Sequence, residues 1–258
     1  MSRSAGRTSL HFANARKDAL TMARLTFSQL AEVRAKVNTI RDNLEKGRRA
    51  LSYTGSEATL LQTKLKFEEL DTIPNDPFQY TDVRAEYFWR GEHITLKTFP
   101  APPAEGGSTV DDRDGFEKWV APVLAHEVCH MLQHRADSKM FEPGGCGNKA
   151  KEWKEAYLAS NTWADYHAYV SCLVELEAHA TQMAVEVSLT NHMPLDQAAF
   201  LKAAKNSDLA KLIWSRAPTD TDQHKTISGE AEALVARLAS EGWIAYHLLQ
   251  PIRVLPTP

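Results

Sequence analysis

The stretch "LAHEVCHMLQH", residues 124–134, sets His126 and His130 four apart, with Glu127 directly after the first and His134 one turn beyond the second. At about 100° per residue, His126 and His130 fall about 40° apart on a helical wheel, so both imidazoles project from one face and can pinch a cation between them. Glu127 is offset by about 60° from His130, close enough to reach a water held there without itself being a ligand. Apolar Val120, Leu124, Val128, Met131 and Leu132 make the carrier a buried helix, expected from about Phe116 through Gln133, with Pro122 at a kink or in the first turn of its motif-bearing part. Burying two imidazoles and a carboxylate is costly unless something offsets their desolvation. The ordinary alternative is a core helix whose histidines are satisfied by hydrogen bonds.

A hydrolytic zinc site takes three protein ligands and keeps one position open. The segment "TWADYHAYVSCLVELEAHATQMAVEVS" is the best source of the third ligand, and it reads as one long helix opened by a Thr162/Asp165 capping box. Glu175 and Glu177 are turned about 200° from each other on that helix, so only one can face the histidine pair. Glu177 shares its face with Val170, Leu173, Val174, Ala180 and Ala184, whereas Glu175 shares its face with Ser171, Gln182 and Glu186. The expectation is that Glu177 points inward as the ligand and Glu175 points to water. His179 falls on the far side of the helix from Glu177 and reads as an ordinary helix histidine. Tyr166 shares the Glu177 face about 16 Å along the axis, as a candidate substrate contact.

"HEVCH" followed by a helical glutamate in "LEAHA" resembles the gluzincin clan of zinc metallopeptidases, over residues 86 to 190. The resemblance implies a zincin-like core, Zn2+ held by His126, His130 and Glu177, Glu127 as general base, and a polypeptide substrate. The clan often carries an acid four residues after the ligand glutamate, orienting a histidine. That position here is Thr181. No motif matches the clan's transition-state histidine or tyrosine. His134 and His224, the latter in "APTDTDQHKT", are further candidates for orienting a ligand or touching substrate. The SprT-like metalloproteases are a rival, with a third histidine shortly after the motif. The corresponding segment "GGCGNKAKEWKEAY" has Gly147 and Asn148 where that histidine is wanted. A third reading keeps the zincin fold as a binding or structural module, whose metal would be closed off by a fourth protein ligand.

The rest of the chain frames this motif. With 258 residues, 43% of them hydrophobic, it can bury a substantial core. A formal charge of -3 gives no electrostatic reason to expect nucleic acid or an anionic membrane as partner. Three cysteines without a CxxC favour a reducing compartment, and no apolar run suits a membrane span or a signal peptide, so a cytoplasmic location is expected. The fold class expected is mainly α with a small β-sheet. Residues 1–24 read as a flexible basic tail. Residues 25–77 read as an N-terminal helical hairpin, with Leu30, Val33, Val37, Ile40 and Leu44 on the first arm and Leu60, Leu61, Leu65, Phe67 and Leu70 on the second. Its apolar stripes are expected to pack on the rest of the chain, with a protein partner as the alternative. Residues 78–190 form the expected catalytic core, opening with a β-hairpin in "AEYFWRGEHITLKTF" whose edge could take an extended peptide. "ADSKMFEPGGCGNKAKEW", residues 136–153, is expected as an irregular flap at the cleft rim. Residues 191–258 form a C-terminal helical subdomain with helices in "PLDQAAFLKAAK", "DLAKLIWS" and "SGEAEALVARLASEGWIAYHLL".

Overall fold

Side chains that alternate between water and core, rather than recurring every three or four residues, govern the segment over residues 63–68. In the computed structural model, which describes residues 24–45, 59–69, 84–98, 113–191, 194–219 and 223–250, Leu65 and Phe67 are buried while Lys64 and Lys66 are exposed. This is a strand pattern. The expected second arm of a helical hairpin is therefore corrected: helix α1 (Phe27–Glu45) is followed by strands β1 (Thr59–Leu60) and β2 (Thr63–Glu69). Between them Leu61 and Gln62 both take left-handed backbone angles, φ 50° and 63°. A two-residue hairpin needs that conformation at both central positions, and neither residue favours it. Tertiary bonds hold the turn: the Leu61 N–H donates to Glu32 of α1 at 2.6 Å, and Arg135 donates to the Leu61 carbonyl at 3.0 Å. Leu70 and residues 1–23 of the expected tail lie outside the described residues.

Strands β3 (Arg84–Phe88) and β4 (His93–Thr98) form the expected hairpin, pairing antiparallel through Tyr87 with Ile94 and Ala85 with Leu96. β2 runs parallel to β4, giving a mixed sheet of order β1-β2-β4-β3. The sheet thus joins residues on both sides of the expected boundary at 77, and β3 is left as an edge strand.

One face of the sheet packs on α2 (Arg113–Ala136), with Ile94 and Leu96 fully buried. α2 runs unbroken through Pro122, which is buried in its first half. The missing N–H removes one bond to the preceding turn, a loss that packing around Ala121 and Leu124 outweighs. Next come α3 (Cys146–Ser160), α4 (Trp163–Ser171), α5 (Leu173–Thr190), α6 (Gln197–Lys205), α7 (Asp208–Arg216) and α8 (His224–Leu248). The Thr162 hydroxyl caps α4 by accepting the Asp165 N–H, as its sequence signature predicts. The expected single helix over 163–190 is nevertheless two, because Cys172 is extended at φ -65°, ψ 151°. The expected flap is also more ordered: a 3-10 turn at Ser138–Phe141 leads through Gly144, at φ 87°, into a regular helix from Cys146.

α5 lies between α2 and α8 and is buried on nearly every side. The protein is mainly helical with a small sheet, and among the described residues no helix is long and apolar enough to cross a membrane. α8 approaches α5 closely at Gly242, where a Cβ would stand 3.2 Å from the Ala180 carbonyl and 3.4 Å from the Phe200 ring. Gly242→Val should therefore lower the thermal midpoint, at a cost of about 1–3 kcal/mol from overpacking. Gly229→Ala, on the same helix where a Cβ meets nothing within 4 Å, should raise it by roughly 0.5–1 kcal/mol of stability. Equal effects in thermal unfolding would refute the close approach.

Candidate metal centre

The i, i+4 spacing on α2 brings the two imidazoles together as the wheel requires, with His126 Nε2 and His130 Nε2 3.1 Å apart. Glu175, near the start of α5, straddles them: one carboxylate oxygen is 3.4 Å from His126 Nε2 and the other 3.4 Å from His130 Nε2. All three residues are buried. Burial alone would raise the Glu175 pKa, but the facing His130 and His126 rings outweigh it and hold the carboxyl well below the ordinary range. The same carboxylate draws His130 up to about 9 against the opposing pull of burial, whereas burial dominates at His126 and lowers it.

The expected assignment of Glu177 to this site is corrected by these distances. Its carboxylate turns away, accepting from Gln133 Nε2 at 3.0 Å and facing Arg24 Nε at 3.4 Å. Two features defeated the wheel argument. The break at Cys172 removes Val170 from the phase of α5, and α5 is buried on nearly every side, so apolar neighbours do not separate a core face from a water face. Glu186, taken as a marker of solvent, is itself buried and accepts the Asp208 and Leu209 N–H groups at the start of α7. Glu177 acts at one remove. Gln133 spends its amide N–H groups on Glu177 and on the Val174 carbonyl, so its oxygen accepts from His130 Nδ1 at 2.9 Å. That bond places a proton on Nδ1 and turns Nε2 toward Glu175, so that Nε2 is the atom offered to a metal once its own proton is displaced.

His179, read from sequence as an ordinary helix histidine, joins the cluster. It stands one turn after Glu175, its ring edge-on to His126 with centroids 4.5 Å apart. Its Nδ1 donates to the Glu175 carbonyl at 2.8 Å, and burial lowers its pKa to about 3, so Nε2 keeps a free lone pair. Ligand atoms of His126, Glu175 and His179 lie within 4.8 Å of one another. The sequence signal was the Glu-x-x-x-His spacing, legible only once Glu175 is in place. Tyr169 of α4 was also missed. It lines the cleft, and burial, followed by the Glu175 carboxylate, raises its phenol well above the usual range.

Glu127 sits beside the cluster with one carboxylate oxygen accepting the Tyr87 N–H of β3 at 2.8 Å. Burial lifts its pKa to about 7, moderated by the His130 and Lys154 charges. The remaining candidates do not reach the centre. His134 Nδ1 accepts from the Tyr87 hydroxyl at 2.9 Å, which fixes β3 against α2. Thr181 packs between helices with its hydroxyl 3.7 Å from Cys129 Sγ. Tyr166 stacks among Tyr157 and Trp163. His224 is exposed at the first turn of α8, not in a loop, and contacts the Pro218 carbonyl at 3.4 Å. The segment expected to supply a SprT-like histidine forms the start of α3 and brings Gly147, Asn148, Lys151 and Lys154 to the cleft wall, but no imidazole.

Glu175 Oε2, which faces His126 Nε2, is buried without a hydrogen-bond partner and marks what the site lacks; His126 Nδ1, the ring nitrogen not facing the pair, is also buried without one. The Glu175 carboxylate and the two Nε2 atoms converge from both helices, a donor set that fits a cation taking the place of the shared protons. Three donors at about 2.0–2.1 Å from a tetrahedral zinc stand about 3.3–3.4 Å apart. Here the two Nε2 atoms are 3.1 Å apart and each stands 3.4 Å from its own oxygen of Glu175, spacings of the same size. Comparison with protein-family models, curated proteins and solved structures returned no match.

Glu175→Ala should abolish stoichiometric metal binding, whereas Glu177→Ala should keep the stoichiometry and weaken affinity by about 10–100-fold through loss of the Gln133 anchor. Elemental analysis and chelator competition on both purified variants decide this. Metal lost from the Glu177 variant alone would overturn the assignment.

Proposed function

We propose that the protein is a zinc metallopeptidase of the zincin-like type, resembling the gluzincins, in which His126, His130 and Glu175 hold the metal and Glu127 is the general base. The observation that carries this reading is the convergence of two Nε2 atoms and an orphaned carboxylate oxygen beside a second, separately held carboxylate in an open cleft. The cleft has a volume of about 340 Å³. Zinc, when bound, supplies Lewis acidity that polarises a water and the scissile carbonyl.

The chain's own residues do the rest. Glu127, with its pKa near 7 from burial, can accept a proton from the attacking water and pass it to the leaving amine at neutral pH. Its hydrogen bond from Tyr87 fixes the carboxylate while leaving the second oxygen free of that contact. Gln133 and Glu177 keep His130 in the tautomer that presents Nε2. β3 is an edge strand, and residues two apart share one edge, so the Ala85 N–H and C=O point the same way as the Tyr87 N–H and can pair with an extended peptide. Peptide-bond hydrolysis is thereby favoured over that of smaller substrates.

A second reading, a structural metal site without turnover, draws on His179. If its Nε2 completes the coordination, the site is closed and Glu127 has nothing to deprotonate. Glu127→Gln separates the two. On the enzyme reading this variant keeps its zinc but loses about 10²–10⁴-fold of its activity on casein or a broad peptide library. Equal turnover in the variant, or no turnover in zinc-loaded wild type, would overturn it.

A further inference from the structure

Helix α3 carries a charge pattern that neither the metal cluster nor Glu127 uses. Gly147, Lys151 and Lys154, spaced four and three apart, fall on one stripe of the helix, and all three line the cleft. The helix's acids, Glu152 and Glu155, do not. A Cβ at Gly147 would lie 2.8 Å from the Phe141 ring, so glycine lets this first turn close on Phe141, which in turn packs edge-on to His130. The stripe is thereby held beside the centre.

Lys154 forms no ion pair among the described residues, and its charge is felt at both His126 and Glu127. Lys151 is 3.7 Å from Glu155, with both side chains well exposed, an arrangement that neutralises little. Across the cleft, in the turn between β3 and β4, Arg90 stacks on Trp89 at 5.0 Å and has no acid partner among the described residues. Against these three cations the walls offer one outlying acid, Glu86, since Glu127 and Glu175 are committed to the centre. With the two central acids answered by a metal, the rim carries three cations against Glu86 alone, a basic rim in a chain that carries -3 as a whole.

We propose that the cleft takes an acidic polypeptide segment, its carboxylates seated between Lys154 and Lys151 on one wall and Arg90 on the other. This rests on the metallopeptidase reading for the fate of the segment, but not for its binding. The main-chain groups of Ala85, on the outer edge of β3 and without a partner among the described residues, suit a peptide backbone and offer nothing comparable to a phosphodiester chain.

The test uses the zinc-loaded Glu127→Gln protein and three fluorescein-labelled pools of extended peptides with Glu, Gln or Lys at every second position. Anisotropy should rank the pools Glu, then Gln, then Lys, with the difference shrinking as salt is added. Adding Lys151→Glu and Lys154→Glu, both at exposed positions and checked by an unchanged thermal midpoint, should weaken the Glu pool by about tenfold and reverse the ranking. Binding indifferent to charge overturns the inference, as does a single-stranded oligonucleotide that displaces the Glu pool as effectively as unlabelled Glu peptide. Wild-type cleavage of the same pools separates the two readings. Cleavage with no charge preference sinks the acidic-segment proposal and leaves the peptidase. Charge-selective binding with no cleavage does the reverse.

Discussion

A carboxylate taken out of water between two imidazoles is the constraint on which the arrangement of helices turns. Glu175 is buried and one of its oxygens has no hydrogen bond. Such a charge is expensive in the interior unless a cation answers it. The nearest candidates are on α2, so α5 must hold its N-terminal turn against the middle of α2 and nowhere else. The apolar contact between these helices supplies attraction without a unique register. The polar cluster supplies the register.

That cluster is braced from behind by a line of hydrogen bonds and ion pairs running away from the cleft. His130 donates to Gln133, Gln133 donates to Glu177, Glu177 faces Arg24, and Arg24 also lies 3.6 Å from Glu241 of α8. Four segments distant in sequence are therefore joined through one imidazole. On the cleft side the bracing is different: Tyr87 binds Glu127 by its N–H and His134 by its hydroxyl, so one residue of the sheet edge locks to α2 at two points.

The parts of this site within one helix were legible from sequence, because His126, Glu127 and His130 have their geometry set by helical repeat alone. Glu175 was not, since choosing between it and Glu177 required a phase, and phase was inferred from apolar neighbours on a helix that turns out to be buried on nearly every side. Apolar spacing separates faces only when one face meets water. The strand at 63–69 failed for a related reason. Leu60, Leu61 and Leu65 satisfy a helical spacing, and the turn at Leu61 and Gln62 carries neither glycine nor asparagine to announce itself. Its conformation is imposed by Glu32 and Arg135, which are remote in sequence. The hairpin of β3 and β4, flagged by aromatic and β-branched runs around Arg90-Gly91-Glu92, was read correctly.

The bond from the Tyr87 N–H to Glu127 has a consequence for anything that lies along β3. An added strand would find the main-chain groups of Ala85 without a partner among the described residues, but the next donor on that edge is already spoken for. The ladder must skip a rung there, and the skipped rung is the one beside Glu127. A carbonyl of the added strand that faces it is left with no main-chain donor, while its neighbours along the strand are tethered. On the proposed reading, the edge of the sheet would grip a backbone on one side of a single peptide unit and leave that unit's oxygen unclaimed.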